Sequence, residues 1–123
     1  MKPISLDNFE FTGHEAAKLG DLHALDKHDR EQLLMSGVDV EEQGRSGSFL
    51  HMDHSGAYCK TNRPGVEILD IKDALKKYDG LPEYFWKLVD PEKDEATRKA
   101  RDVLHGGYFI RAEKGAKIEE PVQ

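Results

Sequence analysis

The sequence predicts an α+β fold, a helical N-terminal region with a short β-sheet, on three observations. Residues 70–78 place Ile71, Ala74, Leu75 and Tyr78 at i, i+3, i+4 and i+7 behind a capping Asp70, the pattern of a helix with one buried face. Residues 46–61 (SGSFLHMDHSGAYCKT) lose that period and alternate weakly, as an extended chain does. Residues 108–112 (YFIRA) are aromatic and aliphatic in the manner of a strand.

Each element follows from local chemistry. Thr12-Gly13-His14-Glu15 reads as a capping box ahead of a short helix through Ala16, Ala17 and Leu19, ended by Gly20. A second helix starts at Asp26 and runs through Leu33, Leu34 and Met35 to Gly37, a residue suited to the left-handed position past a helix end. The extended stretch 46–61 is expected to break near Ser55-Gly56. Asn62-Arg63-Pro64-Gly65 is a turn, and Val66-Glu67-Ile68-Leu69 a short strand.

Gly80 closes the Asp70 helix. Pro82 suits the first turn of another, in which Phe85, Trp86, Leu88 and Val89 are expected to pack on the Ile71–Leu75–Tyr78 face. Asp90-Pro91 stops it, and a further helix carries Ala96, Ala100, Val103 and Leu104 up to Gly106-Gly107. After the Tyr108–Ala112 strand, Glu113-Lys114-Gly115 turns the chain into a second short strand, Ala116-Lys117-Ile118-Glu119. Two strands without partners are marginal in water, so the reading is of a chain cut short at Pro121-Val122-Gln123. The organisation expected is an N-terminal helical segment (1–45), a strand-plus-helices region (46–105) and a β tail (106–123).

Composition narrows the function classes. At 123 residues, with 37% apolar and 34% charged residues, the chain can bury one thin core. Its net charge of −6, unbroken by any Lys/Arg stripe, repels polyanions and disfavours nucleic acid and anionic membrane surfaces as partners. No stretch approaches the roughly 20 apolar residues of a membrane span, and the start lacks an apolar targeting core. A cytoplasmic, soluble protein is expected. One cysteine, Cys59, excludes an internal disulfide and a multi-cysteine zinc site.

Two blocks then carry a resemblance. GVEILDIKDALKKYDGLPEYFWKLVDPEKDEATRKA followed by GGYFIRAEKGAKIEEPVQ, with MSGVDVEEQGRSGSFLHMDHSGAYCK upstream, resembles the region leading into the β-helix of SufB/SufD-type proteins, the scaffold subunits of the SUF iron–sulfur cluster assembly system, and the shorter archaeal-type members best. The similarity runs from about Leu33 to Gln123, and GGYFIRAEKGAKIEEPVQ is its most specific part. It implies that Gly106 to Gln123 is the first part of a truncated β-helix, whose coils need neighbours to bury their faces. It also implies a non-catalytic scaffold portion acting as cap or docking surface, with an iron–sulfur cluster belonging to the full-length assembly. The implied partners are the SUF ATPase and a sibling SufB/SufD-type subunit, met mainly through other parts of such proteins. No catalytic or cofactor residue of the family maps onto these positions, so the chain is expected not to be an enzyme.

The residues also raise rival readings. Cys59, beside Tyr58 and Lys60, could be a thiolate favoured by the ammonium, though a free cysteine on a strand is ordinarily a small semi-buried hydrophobe. His51, Asp53 and His54 form an H-x-D-H string. On a strand His51 and Asp53 share a face and His54 opposes them, so metal binding would need Cys59 or His23 folded back as a third ligand, and a solvated strand is the favoured account. The alternatives are therefore a metal- or sulfur-binding protein using Cys59 with His51, Asp53 or His54, and a plain interaction module. His14, His23 and His28 read as surface residues and His105 as a helix-terminal one. The Tyr108–Ala112 strand, left uncovered, is expected to pair with its copy in a homodimer.

Overall fold

The computed structural model describes residues 5–13, 15–104 and 106–123, so the expectations placed on His14 and His105 lie outside the described residues. The architecture is α+β, with three α-helices and two small antiparallel sheets among the described residues. Helix α1 (Lys27–Met35) begins where the sequence places it. Asp26 accepts from the Asp29 amide at 2.9 Å, and the helix closes with Val38 N–H donating to Leu33 and Gly37 N–H, at φ +88°, donating to Leu34. That paired closure satisfies carbonyls that would otherwise end the helix unpartnered.

Strands β1 (Gly47–Met52) and β2 (Ser55–Thr61) form a hairpin. The break expected at Ser55-Gly56 falls instead at Asp53-His54, with Asp53 in the left-handed region at φ +54°. Asx residues tolerate that conformation, so Ser55 and Gly56 are free to continue the strand. The register slips between Leu50 and His51, leaving Ala57 as the extra residue of a bulge. Its carbonyl accepts from the Leu19 amide at 2.8 Å.

That bond helps explain why the capping-box helix does not form. Residues 15–19 lie in irregular conformation against β2, with the Ala16 amide on Ser55 Oγ and the Lys18 ammonium on the Gly56 carbonyl. Tertiary partners have replaced helical ones. Leu22, Leu50, Ala57 and Tyr58 form the core here, with Ala16, Leu19, Leu25, Leu33 and Val40 packed around them.

Strand β3 (Val66–Asp70) leads directly into helix α2 (Ile71–Lys77), where Asp70 caps by accepting from the Lys72 amide at 2.9 Å. Helix α3 (Glu95–Asp102) is capped by Asp94. Strand β4 (Tyr108–Ala112) pairs antiparallel with β3 along all five residues, so the tail strand has a partner, contrary to expectation. At the centre of the ladder, Ile68↔Ile110, the partner is 42 residues distant, a separation beyond the reach of local pattern. The Ala116–Glu119 strand is absent. Residues 113–120 run as turn and coil, and pairing resumes as a parallel bridge of Val122 to Gly47. Among the described residues there is no further parallel coil, so the β-helix start is not seen in this architecture.

The largest departure is the segment after Gly80. Only a single 3-10 turn forms at Leu81–Glu83, and Leu88 and Val89 face solvent instead of packing on α2. The α2 face is occupied from elsewhere: Ile71 and Ala74 are buried, the Ile71 amide bonds the Gly107 carbonyl, and Tyr78 stacks on Phe109 with centroids 5.5 Å apart. Once β4 covers α2, no place remains there for the Phe85–Val89 cluster. No helix of the described residues is long and apolar enough to cross a membrane.

Candidate functional site

The residues singled out by the sequence are only partly brought together. Cys59 on β2 stands opposite Phe49 on β1, and its thiol donates to the Ile68 carbonyl at 3.0 Å. Burial of the sulfur, then the charge of Asp70, pushes the thiol up to about 11. It is therefore protonated at neutral pH and a weak nucleophile. The activating lysine of the sequence reading points elsewhere. Strand alternation carries Lys60 to the other face, where its ammonium is 2.7 Å from Glu42.

His51 lies on β1 with its ring 6.1 Å from that of Phe49, whereas Asp53 and His54 occupy the hairpin turn. The shared strand face expected of His51 and Asp53 is thus replaced by a turn, because the chain reverses at Asp53. Among the described residues no three of His, Cys, Asp and Glu converge as metal ligands do. His23 sits 3.7 Å from Glu41, apart from that turn.

Two other places concentrate chemistry, and neither was read from the sequence. The first is a polar clamp. Glu42, held at φ +53°, turns a nearly buried carboxylate into the hairpin, where it accepts from Ser48 Oγ (2.6 Å), Lys60 Nζ (2.7 Å), Tyr58 OH (3.0 Å) and Asn62 Nδ2 (3.2 Å). Burial alone would raise its pKa. The hydrogen bonds, from Lys60 first, outweigh burial and hold it down to about 2. Burial and the bond to Glu42 push Tyr58 up to about 12. Gln123 closes the clamp: its Nε2 donates to Asp39 O and Ser48 Oγ, its Oε1 accepts from the Asp39 amide, and its backbone bonds Gly47 and Phe49.

Neither Glu42 nor Tyr58 can exchange a proton near neutrality, so the clamp fixes structure and offers no general acid or base. A signal for half of it was present: Tyr58, Lys60 and Asn62 recur at period two and so share one strand face. Nothing in sequence marked Glu42 or Gln123 as their partners.

The second place is a groove of about 630 Å³ between the N-terminal segment, α3 and the hairpin tip. Leu6, Phe11, Ala100, Val103 and Leu104 make it mainly apolar, with His51 and His54 at one side. Lys99 lies 4.6 Å over the Phe11 ring.

Comparison with known proteins supplies what the geometry does not. No established family profile matches the chain. A protein of Archaeoglobus fulgidus named as an iron-sulfur cluster assembly SufBD family protein is 40% identical over 95 residues, which is 77% of this chain and 26% of that protein. A like-named protein of Methanothermobacter thermautotrophicus strain Delta H is 41% identical over 101 residues, 79% of this chain and 25% of its own. Another from strain Winter of that species is 39% identical over 98 residues. The chain spans about a quarter of the length of the curated relatives it matches.

Proposed function

We propose that this chain, related through archaeal homologues to the SufBD family of iron–sulfur cluster assembly proteins, supplies a non-catalytic cap or docking unit to a cytoplasmic cluster-assembly scaffold. The observation that carries the reading is the identity of about 40% to such proteins across three quarters of the chain. The chemistry of the side chains is in keeping with it. The nearly buried carboxylate of Glu42 is locked in hydrogen bonds, and the single thiol is protonated at neutral pH. The expected partners are a sibling SufB/SufD-type subunit and the SUF ATPase, and any cluster resides in the larger assembly.

Calorimetric titration of the chain against the purified sibling subunit and the ATPase tests this. Measurable affinity for either is expected, and none for both overturns the docking role. Anaerobic incubation with iron and sulfide should leave the chain colourless. A stoichiometric chromophore lost in Cys59→Ser would replace this reading with the sulfur- or metal-binding one.

Self-association through β4 belongs to the same proposal. Tyr108 and Ile110 are 67% and 45% exposed and, with Phe49 and Val122, line an apolar recess beside the strand. Since β4 is paired with β3 and Gln123 is built into the clamp, deletion would damage the fold, and Ile110→Glu is the cleaner probe. Light scattering should show a dimer that this change dissociates; a monomer at all concentrations removes the dimer from the proposal.

A further inference from the structure

Residues 79–95 invert the usual order of a small domain. Tyr84, Leu88 and Val89 are 75%, 101% and 49% exposed, and all three sit on one short irregular loop. Large apolar side chains grouped in this way mark interaction surfaces more often than chance exposure does. Trp86, between them, is held at φ +60°, a left-handed conformation that costs a bulky residue of order 1–2 kcal/mol. Its indole N–H is buried and donates to no described residue, and its ring meets Phe85 edge-on at 6.0 Å. The loop thus carries strain, an unmatched donor and exposed apolar surface at once, and nothing within the described chain offsets them.

Charge says what kind of surface would. The same 17 residues hold six carboxylates and two lysines, four of the six net negative charges of the chain. Asp79, Glu83 and Asp90 make no ion pair among the described residues, whereas Glu92 is already taken by Arg98 and Arg101. Exposed carboxylates in the same segment as exposed apolar side chains complement a surface that sets basic groups beside an apolar recess. They repel anionic lipid, nucleic acid and a second copy of the same acidic chain.

We propose that the 79–95 loop is a docking surface for a protein partner that presents Lys/Arg side chains around an apolar patch, with Leu88 as the central anchor and Asp79, Glu83 and Asp90 as the rim. This surface goes beyond the SufBD reading and stands on the loop alone.

Trp86 is the single tryptophan, so its emission reports directly on the loop. The probe is a synthetic amphipathic helix with leucines on one face and lysines on the other, alongside a peptide of the same composition with its leucines dispersed. The expected result is saturable 1:1 binding of the amphipathic peptide with a blue shift of Trp86. The dispersed peptide should bind about tenfold more weakly, and raising salt from about 50 to about 300 mM should weaken binding severalfold. Leu88→Asp is the decisive variant. Leu88 is fully exposed, so the fold should survive, as a thermal melt will check. The substitution adds negative charge, so simple attraction between an acidic chain and a basic peptide would tighten. Apolar anchoring predicts about tenfold loss instead. Binding of Leu88→Asp as tight as the parent, or equal binding of the two peptides, overturns the proposal. So does self-association of the free chain that Leu88→Asp abolishes, which would assign the loop to a second copy.

Discussion

The Glu42 clamp and the Trp86 loop share a local oddity and differ in everything around it. Each centres on a non-glycine residue in the left-handed region, Glu42 at φ +53° and Trp86 at φ +60°. Around Glu42 the strain is compensated inside the chain, by four side-chain donors on its carboxylate and by Gln123 on the adjoining residues. Around Trp86 no such set exists, and the neighbouring apolar side chains point to solvent. A polar residue is thus buried where an apolar cluster is exposed. The difference teaches that at these two places burial follows partnering and not hydropathy. A carboxylate with four donors can go inside, whereas Leu88 stays out because β4 and Gly107 already cover α2.

The comparison breaks most visibly at Glu42. Replacing it with Ala leaves Ser48 and Tyr58, both buried, without their acceptor and removes the ion-pair partner of Lys60. A loss of about 3 kcal/mol is expected, read as a lower urea midpoint at unchanged slope. A loss below about 0.5 kcal/mol would mean that the clamp is ornamental.

The same group sets the acid limb of stability. The folded-state pKa of Glu42, about 2, lies below its unfolded value near 4.5. Its contribution is therefore fully present above about pH 4.5 and is lost as pH falls through that window towards 2. A depression of this size corresponds to about 3 kcal/mol. Urea midpoints measured at falling pH should drop across this range in the parent and much less in Glu42→Gln. Parallel profiles for the two proteins would remove Glu42 as the cause.

How much of this was legible beforehand depends on the range of each interaction. Helices α1 and α2 could be read because Asp26 and Asp70 sit two or three residues from the amides they cap. The hairpin region was legible as extended chain, and its turn was misplaced because Ser-Gly outcompetes Asp-His as a turn signal on paper. The helix through Ala16–Leu19 failed since Ser55, Gly56 and Ala57 offered its backbone and Lys18 other partners. The pairing of β4 with β3 was out of reach because strand patterns do not name their mates. At the site, Cys59 and the H-x-D-H string drew attention by residue type, yet geometry pairs the thiol with a carbonyl and puts Asp53 in a turn. Glu42 was invisible because its donors lie 6 to 20 residues away. The Phe85–Val89 run was misjudged because dense apolar sequence resembles a core whether or not a face is free to receive it.

Trp86 gives a middle-sized test of the same contrast. As the centre of a packed core, its truncation to Ala would cost about 3–5 kcal/mol. In this structure it is half-buried with an unsatisfied donor, and a cost of about 1 kcal/mol is expected. Trp86→Gly sharpens the point. Glycine is at ease at φ +60°, so it should be at least as stable as Trp86→Ala, by up to about 1 kcal/mol, reversing the usual order of Ala and Gly in a folded chain. If Trp86→Gly proves clearly the less stable of the two, the left-handed assignment fails.

The smallest effect expected is at Leu88, and its smallness is informative. A leucine that leaves no surface buried has no transfer free energy to lose, so Leu88→Ser should alter stability by less than about 0.5 kcal/mol. The measurement is a pair of thermal melts at one protein concentration, repeated at a tenfold higher one. Dilution matters because an exposed leucine that seals a contact between copies would stabilise the parent only when concentrated. A shift of several degrees at both concentrations would return Leu88 to the core and with it the helix that the sequence suggested for residues 82–89. A shift at the higher concentration alone would give the leucine to a second copy of the chain. No shift at either leaves it available to a different protein, as the exposed carboxylates of its segment require.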